Sequence, residues 1–227
     1  MIRFILLCWF FSYSIVFTNK AYSVDAEDFS QASHSSRGGV GLINTPTARF
    51  SNDGEFGFGF SAEEPYNRLY AKMQFFPWME AVLRYTEGTF QPYNPGSHQT
   101  WKDKGLDLKF KLLEENTIRP EIAIGFIDFG GTGAYSSEYL VASKRFQNID
   151  WSIGIGWGRL GGVDHINNIV GWLDEDRKTR RGYKPRGGTL SLERLFSGKN
   201  NSIFGGIEYF TPIKNLSLKL EYDTSDY

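Results

Sequence analysis

The chain has 227 residues and a formal net charge of −1 at pH 7, so its length fits one or two domains and its charge gives no electrostatic basis for binding nucleic acid. Aromatic residues make up 16%, and there are 25 glycines and 8 prolines, a balance that favours β-structure over helix. The single cysteine excludes an internal disulfide and a zinc site built from several cysteines.

The N-terminus predicts an export signal over residues 1–23. Arg3 precedes an apolar run over residues 4–17, and Ala21-Tyr22-Ser23 has the small-x-small pattern of a cleavage site. An uncleaved membrane anchor is the alternative, but the run is short for a spanning helix. Cys8 lies inside this signal without a small residue before it, which does not suggest lipid attachment. The polar, serine-rich residues 24–37 predict a flexible leader.

From residue 38 onward the dominant pattern is a two-residue alternation of apolar and polar side chains. Because side chains on a β-strand point alternately to its two faces, each alternating stretch predicts a strand with one apolar and one polar face. The predicted strands cover Glu55–Ser61, Asn67–Phe75, Met79–Thr86, Leu106–Lys111, Glu121–Asp128, Ser137–Phe146, Trp151–Leu160, Ser202–Phe210 and Leu216–Tyr222.

A further strand is expected at Val40–Ile43 or at Thr189–Leu192, since bacterial single-chain barrels have an even number of strands. The glycine-rich residues 38–49 could instead form a segment tucked against the sheet. Predicted connections alternate between short and long, as in outer-membrane barrels with short periplasmic turns. The longest connection, over residues 161–201, is basic and includes Arg177, Lys178, Arg180 and Arg181.

These patterns predict an all-β fold, an antiparallel (partial) outer-membrane β-barrel of about 9–10 strands over residues 38–227, after the signal peptide. A lysine or arginine that faces lipid at mid-depth costs roughly 2–4 kcal/mol, so the charged faces must line the lumen. A soluble antiparallel sheet with one wet face would produce the same alternation. The export signal, the cysteine-free remainder and the connection pattern favour the membrane.

The predicted lumen is rich in charge. The polar residues assigned to it are Arg68, Lys72, Glu80, Arg84, Asp107, Lys109, Lys111, Lys219 and Glu221. They could neutralise one another as ion pairs inside a narrow barrel, or form a polar surface that guides an acidic glycan. Aromatic residues near strand ends (Trp78, Tyr85, Trp101, Trp151, Trp157 and Trp172) could stack on sugars or form interfacial girdles.

Several stretches in order along the chain resemble the YjbH family of outer-membrane proteins linked to exopolysaccharide and capsule production. They are GLINTPTAR (41–49), QFFPWMEAVLRYT (74–86), DKGLDLKFKLLEE (103–115), PEIAIGFIDFGGTG (120–133), SEYLVASKRF (137–146) and GIGWGRL (154–160). The resemblance implies an outer-membrane barrel with a role in making or exporting an extracellular polysaccharide. Members of the family are usually longer, so the chain resembles their N-terminal part.

We therefore expect a non-enzymatic outer-membrane protein with no catalytic, cofactor-binding or metal-binding residues. The expected partners are outer-membrane lipid, a polysaccharide and other exopolysaccharide-export proteins, with no nucleic acid. The three histidines lack metal-ligand spacing. Two alternatives remain open: a periplasmic or outer-membrane glycan-modifying enzyme that uses carboxylates such as Glu80 and Asp107, and a simple porin.

Overall fold

The computed structural model describes residues 33–180 and 192–226. All nine predicted strands are present, and the described residues contain no α-helix, only short 3-10 turns. The strands are β1 (Phe56–Glu63), β2 (Tyr66–Phe76), β3 (Met79–Pro92), β4 (Thr100–Leu113), β5 (Glu121–Ile127), β6 (Ser137–Phe146), β7 (Ile149–Gly158), β8 (Ile166–Asn167), β9 (Asn200–Phe210) and β10 (Ser217–Tyr222).

The strands form one antiparallel sheet in the order β1-β2-β3-β4-β5-β6-β7-β9-β10, with the short β8 paired to β9. The expectation of a closed barrel is not met, because the described strands β1 and β10 remain the two edges and do not pair with each other. The all-β antiparallel class is confirmed, and its strands form an open, curved sheet. Among the described residues no helix has the length and apolarity needed to cross a membrane.

The two faces of the sheet have the opposite polarity to a water-soluble fold. On the convex face Phe58 is 76% exposed, Leu83 63% and Leu220 68%. On the concave face Lys72 is fully buried and Glu80 and Lys109 are each 3% exposed. Alternation along each strand causes this separation, as the register Ala71↔Leu83↔Leu106 on the convex side illustrates.

A small apolar cluster also lies on the concave face. It comprises Ala48, Ala123, Ile127, Tyr139, Val141, Leu160 and Phe204, with Phe50 packed against it. Phe204 needs the space beside Gly154, since a Cβ on that glycine would lie 2.4 Å from the Phe204 ring. Gly154 of β7 therefore leaves room for the Phe204 ring.

The connection after β7 covers part of the convex face. Phe196 packs against the Trp157 ring at a centroid distance of 5.1 Å, and the Trp157 indole N–H donates to Asn168 Oδ1 at 2.8 Å. Trp157 is consequently only 4% exposed, although its strand neighbours Ile153 and Trp151 are open. The exposed apolar side chains of the convex face therefore stop, near the end of β7, where this connection covers Trp157.

Two details of the predicted topology are corrected. The first connection, Glu64–Pro65, is as short as the turn at Pro77–Trp78, so the short–long alternation does not hold from the first strand. The extra strand is β8, which has only two residues and carries no alternation for a sequence pattern to detect. Val40–Ile43 makes isolated bridges instead of joining the sheet, Leu192 begins a 3-10 turn, and 189–191 lie outside the described residues.

Candidate functional site

Residues 33–50 lie across the concave face, and we call them the inserted segment. Val40, Leu42, Thr45 and Ala48 are each at most 3% exposed, so the segment is packed as firmly as a core element. A turn closed by Leu42 N–H donating to Thr45 O at 2.9 Å reverses its direction. Residues 33–37 of the predicted leader belong to this segment, while 24–32 lie outside the described residues.

Glu221 of β10 anchors the turn of the inserted segment. Its carboxylate accepts backbone N–H bonds from Ile43 at 2.9 Å, Asn44 at 2.9 Å and Thr45 at 3.1 Å. Three convergent N–H groups form an anion-binding nest, and bonds from such donors to a charged acceptor are stronger than neutral ones. Asn44 Nδ2 also donates to Glu63 of β1 at 2.8 Å. Asn44 therefore links the two edge strands that do not pair directly.

A second anchor lies in the middle of the sheet. Lys109 of β4 and Glu80 of β3 form an ion pair at 3.1 Å, and both are almost completely buried. Lys109 Nζ donates to Val40 O at 3.2 Å and to Arg49 O at 2.7 Å, while Val40 N–H donates to Glu80 at 3.1 Å. Buried charges are tolerated when their remaining hydrogen-bonding capacity is used, and the backbone of the inserted segment supplies those partners.

Arg49 ends the inserted segment in a cluster of carboxylates. It makes two 2.8 Å bonds to Asp150, and ion pairs to Glu115 at 2.6 Å and Glu121 at 2.9 Å. Burial lowers the pKa of the Arg49 guanidinium, but the Asp150 and Glu115 carboxylates outweigh that effect and raise it above its ordinary value. No sequence pattern marks this arginine, because the three carboxylates come from distant parts of the chain.

The residues predicted for the lumen occupy the concave face and are paired there. Arg84 binds Asp107 in a bidentate pair, with one bond at 3.1 Å, and Lys111 pairs with Glu121 at 3.0 Å. The other pairs are Arg68–Glu63 at 2.8 Å and Lys72–Glu55 at 2.8 Å, while Lys219 donates to Gly41 O and Leu42 O. Between the two expected arrangements, the geometry corresponds to mutual neutralisation, with the inserted segment as a further partner.

The basic residues predicted for an outer loop are held by local contacts. Arg180 makes two 2.8 Å bonds to the Glu138 carboxylate, and Arg177 donates to Leu195 O at 2.8 Å. Lys178 pairs with Glu175, and Arg181 lies outside the described residues. Arg177, Lys178 and Arg180, the members of this set that the structure describes, therefore use their charge in contacts within the fold.

Beside Arg84 lies a carboxylate group that no sequence pattern marks, that of Asp128. Asp128 has a positive φ of 53°, accepts from Tyr135 N–H at 3.1 Å through Oδ2, and donates its own N–H to Asp107 at 2.8 Å. Within the described residues its Oδ1 is buried without a hydrogen bond partner. Burial first, and then the nearby negative charge of Asp103, raise the pKa of Asp128 to about 7.

Among residues 33–180 and 192–226, no three His, Cys, Asp or Glu side chains are grouped so that they could hold a metal ion. Glu80 and Asp107, the carboxylates considered for glycan hydrolysis, are each committed to a cation and a backbone N–H. What the site can do chemically is therefore to hold the inserted segment against a buried, charged surface.

We expect Glu221→Gln to loosen the inserted segment while leaving the sheet folded. The neutral amide offers one carbonyl acceptor where the carboxylate satisfies three backbone N–H groups, and losing bonds to a charged group costs roughly 1.5–3 kcal/mol. Hydrogen exchange at Ile43, Asn44 and Thr45 amides should accelerate by at least tenfold. Glu208→Gln is the control, because Glu208 lies on the paired strand and accepts from Ser217. Equal exchange in the two variants would contradict the anchoring role.

We also expect Asp128→Asn to change the pH dependence of stability. Since the folded-state pKa is raised, the folded protein binds the proton more tightly, so this group makes stability fall as pH rises from about 4 to about 7. The Asn variant lacks that loss, and its free energy of unfolding relative to wild type should increase across the same range. Urea unfolding at several pH values measures it, with the exposed Asp53→Asn as control. Parallel curves for Asp128→Asn and wild type would contradict the assignment.

Comparison with known proteins assigns the chain to a family. The YjbH profile, described as "Exopolysaccharide biosynthesis protein YbjH", matches residues 33–227. The chain is 40% identical over 199 residues to a protein of Escherichia coli (strain K12) named "Uncharacterized lipoprotein YjbH". That alignment covers 86% of this chain and 28% of the relative, so the chain spans well under half of the relative's length. No solved structure matches. The chain belongs to the YjbH family, as the sequence resemblance predicts.

Proposed function

We propose that this chain forms the N-terminal part of a non-enzymatic outer-membrane β-barrel protein that takes part in the production or export of an exopolysaccharide or capsular polysaccharide. The family description supports the polysaccharide role. The relative named as a lipoprotein supports a location in the cell envelope. The observation that carries the membrane part is the inverted polarity of the sheet, with charges buried on the concave face and large apolar side chains open on the convex face.

Energetics favour lipid as the solvent of the convex face. Each fully exposed leucine or phenylalanine forgoes roughly 1.5–3 kcal/mol of burial free energy in water. The convex face exposes many of them in adjacent strands, among them Phe56, Phe58, Phe60, Leu69, Leu83, Ile153, Leu218 and Leu220. Contiguous apolar surface on this scale marks a site of contact with membrane or protein. Acyl chains would cover it without requiring complementary shape.

The inserted segment occupies the concave face, which limits the mechanisms that such a protein could use. The inserted segment contacts the sheet from β1 to β10, through Glu63 at one edge and Glu221 at the other. A water-filled pore through this part of the sheet would require the segment to leave, which disfavours the simple porin. The ion-paired state of Glu80 and Asp107 likewise gives no support to the enzyme alternative. The proposed role is structural, with the sheet holding a defined surface at the membrane.

The membrane assignment predicts that Leu83→Arg destabilises the protein in a bilayer by roughly 2–4 kcal/mol, the cost of a cation that faces lipid near mid-depth. Leu83 is 63% exposed on the convex face, between Ala71 and Leu106 of the neighbouring strands. The same substitution on a surface in water would cost within about 0.5 kcal/mol. Urea unfolding in liposomes measures the difference. Leu173→Arg is the control, because Leu173 is 90% exposed in the long connection. Equal effects of the two substitutions would remove the membrane assignment.

The polysaccharide role predicts that deletion of the gene lowers the amount of surface polysaccharide, and that the wild-type gene restores it. Polysaccharide is measured as hexose and uronic acid released from washed cells, normalised to cell mass. The Leu83→Arg gene should restore less than wild type, and the Leu173→Arg gene should restore it fully. Unchanged polysaccharide in the deletion strain would contradict the proposed function.

A further inference from the structure

The end of the sheet that carries the longest connections contains a cavity of about 590 Å³. It is formed where β2 begins, β3 ends, β4 begins and β9 begins, together with the connections after β5 and β7. Small-molecule sites typically measure about 300–1,000 Å³ and occur at the mouths of β-structures of this kind. The inserted segment, by contrast, contributes none of the residues that line this cavity. It is therefore separate from the charged surface already described.

Four aromatic rings form a closed circuit at one side of the cavity. The Tyr66 ring lies 5.8 Å from Phe90 and 5.6 Å from Tyr135, and the Trp101 ring lies 6.2 Å from Phe90 and 5.5 Å from Tyr135. Three of these contacts are edge-to-face and the Phe90–Trp101 contact is tilted, and such contacts fix the orientation of the rings. Phe90 is nevertheless 53% exposed, so the circuit presents an aromatic surface to an incoming molecule.

Basic side chains line the rest of the cavity, and the nearest of them, the Arg159 guanidinium, lies 5.7 Å from the centroid of the Tyr135 ring. Its described lining includes Arg159, Arg180, Arg194 and Lys199 and contains no Asp or Glu. Arg180 is neutralised by Glu138, and Arg159 lies 3.6 Å from Asp226. Neither Arg194 nor Lys199 has a carboxylate within ion-pair distance among the described residues, and the Arg194 Nε is buried without a hydrogen bond partner there. Arg194 Nη2 donates to Gly133 O and to Ser136 Oγ, each at 3.0 Å.

We propose that this cavity is a binding site for a segment of an acidic polysaccharide, in which a sugar ring packs on the aromatic circuit and a uronate carboxylate pairs with Arg194 and Lys199. We call it the aromatic–basic cleft. The proposal rests on the proposed function and adds a substrate class and a location to it.

The two sides of the cleft match the two kinds of surface that an acidic sugar presents. The C–H face of a pyranose ring is apolar and carries partial positive charge, which suits the negative face of an aromatic ring. The carboxylate accepts charge-assisted hydrogen bonds from guanidinium and ammonium groups. Inorganic anions would use only the basic side, and neutral sugars only the aromatic side. An acidic saccharide is the ligand class that uses both.

Binding of short oligogalacturonates to the purified full chain in detergent tests the proposal, by isothermal titration at low and moderate salt. The comparison ligands are maltooligosaccharides of the same length and inorganic pyrophosphate. We expect oligogalacturonate to bind most tightly. Phe90→Ala and Lys199→Gln should each raise Kd on the order of tenfold. Phe75→Ala and Lys214→Gln are the matched controls, because both side chains are exposed at the opposite end of the sheet and should leave Kd unchanged.

Each alternative result decides against the cleft. Pyrophosphate that displaces oligogalacturonate without any dependence on Phe90 would indicate a simple anion site. Maltooligosaccharide that binds equally well would remove the role of Arg194 and Lys199, and no binding by wild type would remove the site. These outcomes are separate from the deletion phenotype. A loss of polysaccharide in the deletion strain without binding here overturns only the cleft, whereas binding with unchanged polysaccharide overturns only the proposed function.

Discussion

The structure depends on the pairing of buried charges across the concave face. Lys72, Glu80, Arg84 and Lys109 are almost fully withdrawn from solvent, and an unpaired charge in such surroundings costs several kcal/mol. Partners on adjacent strands satisfy part of the requirement, as in Glu80–Lys109 and Arg84–Asp107. The inserted segment supplies the rest through backbone groups, which is why a stretch with no regular secondary structure is as buried as the strands beneath it.

The same segment explains how an open sheet keeps its curvature. The edge strands β1 and β10 do not pair with each other, and an exposed edge presents unpaired backbone groups. Asn44 reaches Glu63 on β1 and Glu221 on β10, and Arg49 gathers Glu115, Glu121 and Asp150 near the other end. Hydrogen bonds and ion pairs therefore connect the two halves of the sheet from inside. The charged concave face and the inserted segment form a scaffold. The aromatic–basic cleft lies at the end of the sheet with the long connections.

Sequence patterns predicted the structure best in the strands, because strand geometry gives side chains a two-residue period. The two-residue alternation located all nine long strands and assigned Arg68, Lys72, Glu80, Arg84, Lys109 and Glu221 to one face. The two-residue β8 and the tight turn at Glu64–Pro65 escaped notice, since neither has a period. Asp128 and the rings of Tyr66, Phe90 and Tyr135 were missed for another reason. Their significance comes from neighbours far away in the chain, and only Trp101 of that circuit was identified beforehand as a residue that could stack on sugar.

The sequence by itself determined the antiparallel all-β class, the separation of apolar and charged faces, and the family. Each of these can be recognised from residues that are close together along the chain. The tertiary structure alone decided that residues 33–50 lie on the concave face and that the described strands β1 and β10 do not pair with each other. It also decided that four aromatic rings and the cations Arg194 and Lys199 meet in one cleft. The physical reason is that strand periodicity is a property of neighbouring residues. Charge compensation and cavity shape arise from contacts between residues as far apart as Asn44 and Glu221.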